Sequence, residues 1–157
     1  MSERSTTHDT FVIERVYPAA PARVFAAWAT PEVKRRWFVG PDNMESSNHE
    51  LDFRVGGRET VSSATSGGPV YSYSAVYHDI VPGERFISTY EMYEDDARIS
   101  VSVATVEFRA EGTGTRLVMT EQGVFLDGVD KVENRDGGTR GLLDNLGAEL
   151  EREPATA

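Results

Sequence analysis

The chain has 157 residues, 39% of them hydrophobic, enough for one domain with a sizeable core. Acids outnumber bases 26 to 16, a formal charge of −10, and the longest basic cluster is Lys34-Arg35-Arg36; that balance argues against nucleic acid or an anionic membrane as partner. Cysteine is absent, which excludes disulfides and thiolate metal sites and makes a reducing cytoplasm the expected compartment.

Residues 1–9 are polar, without a secretory signal's apolar core, and read as a disordered lead-in to a single domain over 10–153. Thr10 to Tyr17 alternates as a first strand, with Phe11, Ile13 and Val16 set against Glu14 and Arg15. Pro21 suits the first position of a helix carrying Val24, Phe25, Ala27 and Trp28. Thr30-Pro31-Glu32 repeats the signal, with a capping hydroxyl, a proline and an early acid, for a second short helix ending near Trp37-Phe38, before Gly40-Pro41. The longest apolar run, Val24 to Ala29, is far short of the ~20 residues of a membrane span.

The middle of the chain reads as a meander. Strands are expected over Asn48 to Arg54, Arg58 to Thr65, Val70 to Val81, Glu84 to Tyr93, Arg98 to Arg109 and Thr115 to Gln122. The turns between them are Gly56-Gly57, Ser66-Gly67-Gly68-Pro69, Pro82-Gly83, Asp95-Asp96 and Gly112-Thr113-Gly114. Their spacing of about ten residues indicates an antiparallel sheet. Gly123 to Gly138, with Asp127, Asp130, Lys131, Glu133 and Arg135, reads as a long loop of the kind that is often functional. The last stretch, Gly138 to Glu153, places Leu142, Leu143, Leu146 and Leu150 in one helical stripe with Thr139 at its middle, after an Asp136-Gly137-Gly138 turn and before the Pro154 stop. Such a helix must bury its stripe against the sheet. The class is α+β.

This order resembles the helix-grip fold of the START-like superfamily, which includes the birch-pollen allergen and the polyketide cyclases. Within it, the chain is similar to the group related to the activator of the heat-shock protein 90 ATPase. The residues that carry the resemblance are Pro21-Ala22-Arg23-Val24-Phe25 with Trp28, Thr30-Pro31-Glu32, Trp37-Phe38 and Asp52-Phe53-Arg54-Val55-Gly56-Gly57. To these are added Ile80-Val81-Pro82-Gly83-Glu84-Arg85, Gly114-Thr115-Arg116-Leu117, Thr120-Glu121 and Leu143-Asp144-Asn145-Leu146. The resemblance implies six to seven antiparallel strands curved around the long C-terminal helix, with two short helices after strand one. The family usually opens that helix with Gly-Trp; here Thr139 stands in place of the indole, which should widen any cavity or draw Met or Tyr side chains into it.

Tyr73 and Tyr77 share one strand face, as do Tyr90 and Met92 on the next strand. In the family's register these faces, with Met119 and Glu121, look toward the last helix. Thr139 and Leu143 lie on the facing stripe, and Trp37 and Phe38 near the mouth. Aromatic rings with polar tips suit an apolar ligand fixed by a few hydrogen bonds, although the same residues could simply fill the core. Glu121, an acid on the apolar Leu117, Met119 row, could act in proton transfer, or lie at a rim, or pair with an arginine. Asp52 and Arg54 read as a strand-end ion pair beside a close backbone approach at Gly56-Gly57.

His8, His49 and His78 have no metal-ligand spacing, Gly112-x-Gly114 continues as a hairpin rather than a dinucleotide loop, and no Gly-x-Ser-x-Gly elbow occurs. Nothing calls for a cofactor. The expected function is binding of a small hydrophobic or aromatic molecule without catalysis. The alternatives are a polyketide cyclase-like enzyme using the same cavity and a co-chaperone-like interaction module. Exposed sheet or helix surfaces leave room for a homodimer.

Overall fold

The computed structural model describes residues 4–39, 47–64 and 67–152. One antiparallel, unclosed sheet of seven strands forms its body, in the order β1-β7-β6-β5-β4-β3-β2. The strands are β1 (Thr6–Tyr17), β2 (Ser47–Leu51), β3 (Arg58–Ala64), β4 (Val70–Val81), β5 (Arg85–Glu94), β6 (Ala97–Glu111) and β7 (Gly114–Leu126). After β1 come α1 (Pro21–Ala29) and α2 (Pro31–Lys34), which runs on into a π-helical turn over Arg35–Val39; α3 (Val132–Glu151) closes the fold. This is the α+β helix-grip arrangement. The expected Gly40-Pro41 stop, Ser66 of the next turn and Pro154 lie outside the described residues.

Several expected boundaries shift, each for a physical reason. Residues 6–9 are not part of a disordered lead-in: β1 begins at Thr6 because β7 continues to Leu126 and supplies backbone partners, Thr6 opposite Leu126. Phe11, Ile13 and Tyr17 share the buried face, so the period of two turns Val16 outward. Thr30 makes no side-chain cap; its backbone N–H instead closes α1 on Ala26. Strand β2 stops at Leu51, because Asp52 and Arg54 turn into a tight loop. They are ion-paired at 2.8 Å, and a Cβ on Gly57 would fall 2.0 Å from the Asp52 carbonyl oxygen, the close approach expected there.

The largest correction concerns 123–138. There is no sixteen-residue loop: β7 takes up residues to Leu126, and α3 starts at Val132, six residues before Gly138. Gly137 and Gly138 are helical, not a turn. Arg135 explains why the helix forms across them. Its guanidinium bonds to the sheet, and Asp130 gathers the first turn by accepting from the Lys131 amide and the Asn134 amide group.

Helix α3 buries Thr139, Leu143, Leu146 and Leu150. It is fastened along its length. The Tyr17 hydroxyl donates to the Leu143 carbonyl at 2.8 Å, Arg15 pairs with Asp144, and Arg36 pairs with Glu149. Under it, Phe25, Trp28, Phe53, Phe86 and Phe108 pack with edge-to-face and tilted contacts, filling one end of the core. The other end is left open.

Candidate functional site

Between α3, the α2–π segment and the concave face of β3 to β7 lies a cavity of about 400 Å³. That falls within the size range of small-molecule sites. Trp37, Phe38, Tyr73, Tyr77, Tyr90, Met92, Met119, Glu121, Thr139 and Leu143, the candidates picked from the sequence, all border it. Strand periodicity places most of them: Tyr73 and Tyr77 on β4, Tyr90 and Met92 on β5, Met119 and Glu121 on β7. The π-helical turn brings Trp37 and Phe38 to the wall, and the Trp37 indole N–H donates to the Ala27 carbonyl at 2.9 Å. Thr139 bonds the Arg135 carbonyl, one turn back in its own helix, at 2.8 Å. Its small side chain leaves the helix face of the cavity open.

Two buried polar clusters flank the apolar space. At the α2 side, Lys34 Nζ lies 2.5 Å from Glu59 Oε1, over the ring of Phe38 at 4.3 Å and within 5.3 Å of the Trp28 ring. The Tyr77 hydroxyl donates to the same Oε1 at 2.9 Å, and His49 Nε2 lies 2.8 Å from Oε2. Burial pulls the Lys34 ammonium below its ordinary pKa, against the attraction of Glu59. Burial would raise Glu59, but the Lys34 charge and the hydrogen bonds from His49, Lys34 and Tyr77 leave its carboxyl below the ordinary range.

At the α3 side, the Tyr90 hydroxyl donates to Glu121 Oε2 at 2.6 Å and accepts from Arg135 at 2.9 Å. Arg135 also holds Ser100 Oγ at 2.8 Å and Asp130 at 3.1 Å, with Glu121 Oε2 3.9 Å away. Burial pushes the Glu121 carboxyl up, and the Tyr90 hydrogen bond and the Arg135 charge only partly oppose it. Burial also raises the Tyr90 phenol, with the neighbouring Glu121 charge adding to it. Glu121 therefore pairs with an arginine inside the cavity wall.

Lys34, Glu59, His49 and Arg135 were not singled out by sequence reasoning. Lys34 sat in a basic cluster that reads as solvated, and Arg135 in a segment that reads as loop. Glu59 did carry a signal. It is an acid one residue into a strand whose inward face, by period two, also includes Val61.

The family described as "Activator of Hsp90 ATPase homolog 1-like protein" matches residues 18–151. The chain belongs to this family. Solved structures of the same fold include an uncharacterized protein from Rhizobium leguminosarum, 48% identical over 96% of this chain and 99% of that one, with a TM-score of 0.92. A Rhizobium loti protein is 46% identical over 92% of this chain and 99% of its own, at 0.87. CalU16 from Micromonospora echinospora shares the fold at 20% identity, covering 95% of this chain and 85% of its own, at 0.64. No curated protein matched. Among the described residues of this family member, no helix is long and apolar enough to cross a membrane.

Proposed function

We propose that this activator-like domain binds a small hydrophobic or aromatic molecule in the cavity under α3, without chemistry. The observation that carries the reading is the cavity itself: about 400 Å³, walled by Trp37, Phe38, Tyr73, Met92, Met119 and Leu143. Burying an apolar ligand there gains roughly 25 cal/mol per Å² of surface removed from water. A cysteine-free sequence fits a cytoplasmic setting. Native mass spectrometry of protein purified from its own cytoplasm, compared with the denatured mass, tests the reading. A copurifying small molecule supports it. A clean apo mass, unchanged against a panel of aromatics and lipids, contradicts it.

One observation favours a cyclase-like enzyme as second reading: Glu121 is buried, raised in pKa and hydrogen-bonded to Tyr90, a pair able to move a proton. That reading requires a substrate whose turnover Glu121→Gln abolishes.

A further inference from the structure

Most polar side chains around the cavity are occupied by one another. Lys34 is held by Glu59 and by two ring faces, and Arg135 by Tyr90, Ser100 and Asp130. Three cavity-lining side chains have an oxygen that takes part in no hydrogen bond among the described residues, Glu121 (Oε1), Ser88 (Oγ) and Tyr73 (the hydroxyl), and the Trp28 indole N–H, also on the wall, is buried without an acceptor. Glu121 is 1% exposed and Ser88 3%, so both belong to the cavity wall rather than to the outer surface.

The sheet register shows how they are arranged. Ser88 on β5 stands opposite Ala104 on β6, and Ala104 stands opposite Glu121 on β7. The three form one row across the sheet, with the two polar groups about two strand spacings, roughly 10 Å, apart. Ala104 between them leaves a floor without a side chain beyond Cβ. Tyr90, two residues along from Ser88, and Tyr73 stack at 4.8 Å between centroids, 37° apart in plane, as a flat wall beside this floor.

We infer that the ligand is a neutral aromatic molecule bearing an O–H or N–H donor, which lies over Ala104 and donates to Glu121 Oε1, and that carboxylates are excluded. The inference rests on the binding reading above and specifies the ligand class of that same cavity. A buried carboxylate oxygen with no partner is stabilised by a donor and destabilised by another anion. The charges agree. Both cations of the cavity wall, Lys34 and Arg135, are already engaged by carboxylates, so an acidic ligand would find no free positive partner. Burial raises the Glu121 carboxyl despite the Tyr90 hydrogen bond and the Arg135 charge, so a second anion beside it would add to that cost.

Isothermal titration of the wild-type protein with three matched two-ring probes, naphthol, methoxynaphthalene and naphthoate, tests this. Naphthol is expected to bind, its methyl ether about tenfold or more weaker, and naphthoate not at all. Glu121→Gln should weaken naphthol while leaving the ether within about twofold. Equal binding of naphthol and its ether, or binding of naphthoate as tight as naphthol, would overturn the donor inference and leave the binding reading standing. Binding of none of the three would overturn both.

Discussion

Lys34 Nζ lies 2.5 Å from Glu59 Oε1, and neither side chain is more than 2% exposed. A buried pair of this kind does not by itself stabilise a fold relative to apolar residues, because both charges lose their hydration. Breaking it from one side is a different matter. Lys34→Met leaves the Glu59 carboxylate buried with only His49 and Tyr77, so unfolding in urea should show a loss of about 3–5 kcal/mol. Lys34→Met with Glu59→Leu should recover a large part of that loss; a double variant no more stable than the single would contradict the account.

The two buried glutamates should titrate with opposite sign. Glu59 has a folded pKa below its ordinary 4.5, so its contribution is complete above 4.5 and lost as pH falls through the folded value. Glu121 has a folded pKa above 4.5, so the folded state holds its proton more tightly, and ionised Glu121 costs stability as pH rises through the raised value. Glu121→Gln should therefore raise the melting temperature at neutral pH, with a gain that fades toward pH 4.5 and below. A gain independent of pH would assign it to packing instead.

The unpartnered hydroxyl of Tyr73 predicts a clean separation of stability from binding. Tyr73→Phe removes no protein hydrogen bond and keeps the ring against Phe38 and Tyr90. Its unfolding free energy should stay within about 0.5 kcal/mol of wild type. Naphthol affinity, measured by titration, should fall.

The glycines of α3 and of the β2–β3 turn should respond in opposite directions. Nothing lies within 4 Å of a Cβ placed on Gly137 or Gly141, both helical and exposed. Alanine at each should stabilise by about 0.5–1 kcal/mol through helix propensity. Gly57→Ala drives a Cβ into the Asp52 carbonyl and should destabilise by more than that. Thermal melts of the three variants decide this.

Tyr73, Tyr77, Tyr90, Met92, Met119 and Glu121 were legible because strand period two groups them on shared faces and the family resemblance says which face looks inward, while Thr139 and Leu143 followed from the helical stripe and Trp37 and Phe38 from the resemblance. The polar clusters were not. Lys34 and Glu59 are 25 residues apart and meet only because α2 folds over β3. The start of α3 was misread because two consecutive glycines, at 137 and 138, read as a turn, while the tertiary bonds of Arg135 hold the helix through them. Arg135, the centre of one polar cluster, was hidden by the same misreading.

The central claim is that the space under α3 is a ligand site, and Thr139→Trp tests it most directly, because it returns to the stripe the indole that the family usually carries there. The measurement is a fluorescence titration of wild type and Thr139→Trp with a phenylnaphthylamine, a neutral aromatic with an N–H donor, alongside circular dichroism. The account predicts saturable binding to wild type and a loss of about tenfold or more in a variant that keeps its fold, since the added ring occupies the cavity. Unchanged affinity in a folded Thr139→Trp variant would place the probe elsewhere and contradict the account.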